Sequence, residues 1–64
     1  MERKPKYNSR CCDDEPVQIV HHCTDQWRVT LRCACGNCAV FEDGDTFEDT
    51  QSKAVEEWDK MNHA

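Results

Sequence analysis

Trp27-Arg28-Val29-Thr30-Leu31-Arg32-Cys33-Ala34-Cys35-Gly36-Asn37-Cys38 is the stretch on which the fold turns. Its first half alternates, with Trp27, Val29 and Leu31 on one side and Arg28, Thr30 and Arg32 on the other, which is the period of a half-buried strand. Its second half sets three cysteines within six residues. Cys35-Gly36-Asn37-Cys38 is a Cys-x-x-Cys turn, the spacing that directs two sulfurs at one tetrahedral metal at ~2.3 Å. Gly36 and Asn37 tolerate the backbone conformations such a turn needs. Strand followed by knuckle is the reading from which the rest is built.

Upstream, Val17-Gln18-Ile19-Val20 is a second β-like run after Pro16, and Cys23-Thr24-Asp25-Gln26 is a polar connection of hairpin length. An antiparallel hairpin brings Val17 and Leu31 to the same end. Cys11 and Cys12 precede the first strand there, and Cys33, Cys35 and Cys38 follow the second, so five thiols converge. Cys23, with His21 and His22, falls at the opposite tip. Downstream, Ala39-Val40-Phe41 is a short apolar run, available as a third strand, before Glu42-Asp43-Gly44-Asp45. Ala54, Val55, Trp58 and Met61 then follow helical spacing. This predicts a helix over about 51–62, N-capped by Asp49 or Thr50, with Trp58 packed onto the sheet and against Trp27.

Six cysteines in 64 residues exceed ordinary usage, and a chain this short builds only a marginal core. Such domains depend on disulfides, a metal or a partner. The charged start of the chain lacks the apolar run of a secretory signal, and no segment reaches the ~18 apolar residues of a membrane span. The expectation is a cytoplasmic protein with reduced thiols that hold metal. A disulfide framework would need an oxidising compartment. A redox Cys-x-x-Cys prefers a larger strand-to-helix unit, and a catalytic zinc would want an open coordination position and a base. Cys11, Cys12, Cys35 and Cys38 are the expected ligands of one structural Zn²⁺, with Cys33 in reserve. A second Cys-x-x-Cys would require cysteine at position 9 to match Cys12, or at 8 to match Cys11; Ser9 and Asn8 stand there instead. His21 or His22 with Cys23 offers a second metal locus, but neighbouring strand residues point to opposite faces, and exposed tip residues need no metal. No role is assigned to His63.

The net charge is −5 and unevenly spread. Residues 1–10 carry four basic side chains and one acid, and are read as a flexible arm before a single domain over 11–64. Residues 41–64 carry eight acids against Lys53 and Lys60. That balance disfavours nucleic acid as a partner and suits a basic protein surface. No nucleophile–base pair or phosphate loop is present, so the expectation is a protein without enzymatic activity.

Cys11-Cys12, the run Val17-Gln18-Ile19-Val20-His21-His22, Trp27-Arg28-Val29, Cys35-Gly36-Asn37-Cys38 and Thr50-Gln51-Ser52-Lys53-Ala54-Val55-Glu56-Glu57-Trp58 follow one another in an informative order. Over about residues 11–62 the layout resembles the small phage and prophage zinc-ribbon proteins of the restriction-alleviation (Lar) type. Those run as knuckle, hairpin with an aromatic opening its second strand, second knuckle, and a helix of the form Thr-x-x-x-Ala-apolar-x-x-Trp. The first knuckle here departs from their Cys-Pro-x-Cys-Gly form. The resemblance implies a zinc-stabilised fold, a bacterial cytoplasm and a part in weakening restriction of foreign DNA. The fold expected is therefore a small α+β zinc ribbon: an antiparallel hairpin, extendable to three strands, with one C-terminal helix. Two functions stay open: a protein-interaction module acting on a host factor such as a restriction system, and a metal-handling protein that uses several thiols.

Overall fold

The computed structural model describes residues 4–63; the first three residues of the expected arm and Ala64 lie outside them. Three strands, β1 (Val17–His22), β2 (Trp27–Arg32) and β3 (Ala39–Gly44), are followed by one helix, α1 (Phe47–Asn62). The strands form an antiparallel sheet in the order β1-β2-β3. This is the small α+β arrangement expected, with the third strand realised.

Register decides what each side chain faces. Val20, Val29 and Glu42 stand in one row, with Gln18, Leu31 and Val40 in the row two residues along. Directly opposed residues share a face, and this is the face α1 covers. Val29, Leu31, Cys33, Ala54, Val55 and Trp58 form the buried core, with Cys12, Cys38, Val40 and Phe47 packed around it. The helix lies on β2 and β3. All six residues of β1 are exposed, and Gln51 Nε2 reaches across to donate to Gln18 Oε1 at 2.8 Å. The other sheet face carries Ile19, Thr30 and Phe41 in one row and His21, Arg28 and Asp43 in another. There Arg28 forks onto both Asp43 oxygens at 2.7 and 3.2 Å.

The helix begins at Phe47, earlier than 51, and its cap is Thr46 rather than Asp49 or Thr50. Thr46 Oγ1 accepts the N–H of Asp49, while its carbonyl accepts from the Thr50 amide and hydroxyl at 3.1 and 2.6 Å. Glu48 and Asp49 then occupy the first turn, where the helix dipole favours them. The extra turn docks because Phe47 meets the Trp27 ring at 5.6 Å. Gly44 ends β3 directly beside the Thr50 side chain, where any Cβ would collide with the buried hydroxyl.

Three side chains depart from expectation. Trp27 stacks on His22 at 3.9 Å, besides its contact with Phe47, and so serves the helix start rather than Trp58. Trp58 is fully buried and donates its indole N–H to the Tyr7 carbonyl at 2.9 Å. Met61 is 37% exposed, whereas Asn62 is buried in its place. Asn62 donates to the Trp58 carbonyl and accepts the amide of Arg10 at 2.9 Å. Asp59 Oδ1 accepts the amides of Lys6 and Tyr7, and the Tyr7 ring meets His63 edge-on at 5.2 Å. Of the segment read as a flexible arm, residues 6–10 are thus strapped along the last turns of α1 by backbone hydrogen bonds. Its sequence carries no apolar stripe, so periodicity had nothing to detect.

Candidate metal centre

Two loops meet at the end of the sheet where Val17 pairs with Arg32. The first is the tip of the β2–β3 hairpin. Cys33 extends the ladder by one step, donating its amide to the Cys38 carbonyl at 2.9 Å. The chain between them turns back through Gly36, whose amide donates to the Cys33 carbonyl at 3.0 Å and whose φ is +81°. Glycine occupies this left-handed region without the Cβ penalty other residues meet. Ordinary strand pairing therefore delivers Cys33, Cys35 and Cys38 together, and Cys33 Sγ also accepts the Cys38 amide at 3.3 Å.

The second loop runs from Ser9 to Asp14. Ser9 donates its amide to the Asp14 carbonyl and accepts the Asp13 amide on its own, at 2.9 and 2.8 Å. Asp13 takes φ 54°, a conformation aspartate visits more readily than most residues. Ser9, 2% exposed, holds the interior of this loop: its Oγ accepts the amides of Cys11 at 3.3 Å and Cys12 at 3.4 Å.

Between the loops, the sulfurs of Cys11, Cys12, Cys33 and Cys35 all lie within 4.8 Å of one another. Cys11 is the hub, 3.1 Å from both Cys33 and Cys35 and 3.5 Å from Cys38, which donates to it. Cys33 and Cys35 are 3.0 Å apart. All five thiols expected at this end of the hairpin are here. Cys33, held in reserve on sequence grounds, belongs to the four mutually close sulfurs; Cys38 joins the group through Cys11. Cys23 stands exposed at the hairpin's far tip, where it exchanges backbone hydrogen bonds with Gln26. His22 is committed to Trp27, while His21 faces the other side of the sheet. Among the described residues, the thiol group is the one cluster of metal-ligating side chains.

The donor chemistry fits a thiophilic divalent ion. Four thiolates around tetrahedral Zn²⁺ at ~2.3 Å are about 3.8 Å apart; the four sulfurs here lie within 4.8 Å of one another, with Cys11, Cys33 and Cys35 at 3.0–3.1 Å. The thiols divide their protons unequally. Cys33 is held down to about 5, first by the neighbouring Cys35 thiol, then by Cys11 and the Cys38 amide, against the effect of its burial. Cys35 is correspondingly pushed up to about 12, first by Cys33. Cys11 raises Cys38, and the Ser9 hydroxyl lowers Cys12, helped by the amides of Asp14 and Cys35. Cys33 ionises because its neighbours donate to it, and Cys35 stays protonated for the same reason. A cation between them would replace those protons and let the whole group ionise.

Ser9 is the functional residue that ligand spacing alone passes over. Its signal was its position, three before Cys12, where a knuckle would carry its first sulfur. Comparison of the chain with protein-family models, with curated proteins and with solved structures gives no match.

Proposed function

We propose that the chain is a small protein-interaction module whose fold is closed by one structural Zn²⁺, held by Cys11 and Cys12 from the 9–14 loop and by Cys33 and Cys35 from the hairpin tip. The observation that carries the reading is the meeting of sulfurs from two loops, more than twenty residues apart in the chain, within 4.8 Å. Zinc suits a thiol-rich, closed set without carboxylates or an adjacent base. Bound there, the ion supplies no reaction; it ties the N-terminal loop to the sheet. Structural zinc contributes on the order of 10 kcal/mol to folding, beyond what six buried apolar residues provide.

The test is verified removal of metal under reducing conditions at neutral pH. The helical circular dichroism of α1 should collapse and return with one equivalent of Zn²⁺. An unchanged spectrum in demonstrably metal-free protein refutes the reading. Stoichiometry settles the rival: a second, labile zinc would favour metal handling, and the single cluster among the described residues argues for one.

Charge supports a protein partner of basic character. α1 carries Glu48, Asp49, Glu56, Glu57 and Asp59 against Lys53 and Lys60. A factor of a host restriction system is the partner that the sequence resemblance suggests. No described helix is long and apolar enough to cross a membrane. Capture from a bacterial lysate by the zinc form, weakened by salt and by Glu57→Lys, is the expected behaviour; capture indifferent to both excludes a charge-matched partner.

A further inference from the structure

The 9–14 loop has the hydrogen bonding of a metal knuckle with an oxygen where its first sulfur belongs. Ser9 Oγ accepts the amides two and three residues ahead, at Cys11 and Cys12. The hairpin tip has an amide-to-sulfur bond of its own, from the Cys38 N–H to Cys33 Sγ at 3.3 Å. Cys12, three residues after Ser9, corresponds to Cys38, three after Cys35. By that spacing a first knuckle would set sulfurs at positions 9 and 12, and at the first of these the chain has a hydroxyl. A neutral alcohol is a poor ligand beside a thiolate.

The hydroxyl has a different use. Ser9 Oγ lies 2.9 Å from Cys11 Sγ and 3.4 Å from Cys12 Sγ. It accepts two amides and has one proton to give, shared between Cys11, the nearer sulfur, and Cys12. Cys11 in turn sits 3.1 Å from two hairpin thiols and 3.5 Å from the third. We propose that Ser9 is the positioning residue of the metal centre: a hydroxyl at a ligand position that fastens the loop and aims Cys11 at the metal as the substitute sulfur. The inference rests on the metal reading of the thiol group and adds two commitments. Cys11 is indispensable only because position 9 lacks sulfur, and the Ser9 hydroxyl acts through its hydrogen bonds rather than as a ligand.

Cobalt(II) as a spectroscopic stand-in for zinc tests both, using the full chain with competition against a chelator for affinity. The thiolate-to-cobalt charge-transfer band reports the number of sulfurs, and the visible bands report tetrahedral geometry. Cys11→Ser should lose one sulfur's share of charge-transfer intensity and more than the ~100-fold in affinity that marks a change outside the ligand shell. Ser9→Ala should keep the full sulfur count while losing about 10–100-fold in affinity. The decisive variant is Ser9→Cys combined with Cys11→Ser, in which sulfur at position 9 takes over. It should regain the four-thiolate spectrum and come within about tenfold of the parent. A double variant no better than Cys11→Ser, or an unaltered Cys11→Ser or Ser9→Ala protein, overturns the proposal while cobalt uptake by the parent still upholds the metal centre. Failure of the parent to take up either metal removes the metal reading and the proposal together.

Discussion

The hairpin tip and the 9–14 loop contribute sulfurs to one point, but they are held there by different means. The tip continues a sheet: Cys33 pairs with Cys38 as the next rung after Arg32 and Ala39, and a single glycine completes the turn. The geometry of its three thiols follows from local pairing. The 9–14 loop has no sheet to continue. It is closed by Ser9, and its approach is set by the preceding strap, through bonds from Lys6, Tyr7 and Arg10 to Asp59, Trp58 and Asn62, more than fifty residues away. One half of the centre is therefore fixed by local strand pairing. The other depends on a helix end that the rest of the core must first position.

The largest effect should come from the residue that serves both the core and the strap. Trp58→Ala removes a fully buried indole and the donor to the Tyr7 carbonyl. It should cost about 3–5 kcal/mol in denaturant unfolding of the zinc-loaded protein, with zinc affinity falling as the 9–14 loop loses its anchor. Trp58→Phe separates the two roles. It keeps most of the packing, leaves the Tyr7 carbonyl without its donor, and should cost about 1 kcal/mol. Faster proteolysis within residues 4–10, with the β2–β3 hairpin still protected, is the expected signature of that variant. An undisturbed strap would show that the two loops are held more alike than their contacts imply.

Protons distinguish the thiols next. At the tip Cys35 and Cys38 are raised while Cys33 is lowered, and in the N-terminal loop Cys12 is lowered. Zinc binding near neutral pH should therefore release a proton from Cys35 and none from Cys33, which calorimetry in buffers of different ionisation enthalpy measures directly. Cys35→Ser should reduce that release more than Cys33→Ser. The metal-free fold, held in an excluded osmolyte, should show the corresponding stability profile. Cys33, lowered from 9.0 to about 5, contributes stability that is complete above 9 and is lost as pH falls towards 5. Cys35, raised from 9.0 to about 12, contributes stability that is complete below 9 and is lost as pH rises towards 12. Stability should then peak near pH 9, and a flat profile would deny that the thiols share charge.

The same contrast explains what could be read in advance. The strands and the convergence of five thiols were legible because alternation at Trp27–Arg32 and a four-residue connection dictate the register, and register dictates which ends meet. The tip was legible from Gly36-Asn37 between cysteines. The helix start was available too: Thr46-Phe47-Glu48-Asp49 has the Thr-x-x-acid form of an N-terminal cap, but periodicity beginning at Ala54 pointed further downstream. Asn62 and the strap were not legible. Their bonds join backbone amides to side chains some fifty residues distant, and neither partner carries a local mark of the other. Sequence displays what neighbouring residues do to one another; the second loop is specified from the far end of the chain.

The smallest predicted effect asks whether the tip is as self-sufficient as this account makes it. Gly36 has φ +81°, and a Cβ built there meets nothing within 4 Å. Alanine at this position therefore faces no steric neighbour, only the left-handed backbone cost, about 1 kcal/mol. Its amide bond to the Cys33 carbonyl would remain. Gly36→Ala should lower the unfolding free energy of the zinc-loaded protein by about that amount and leave the cobalt charge-transfer spectrum unchanged. In the other loop, Asp13 sits at φ 54° without being glycine. Asp13→Gly relieves a similar strain but loosens the unfolded chain, so its net effect should stay within about 0.5 kcal/mol of zero. If Gly36→Ala also altered the spectrum, the thiols at the tip would be held by more than strand pairing and one turn, and the asymmetry between the loops would shrink accordingly.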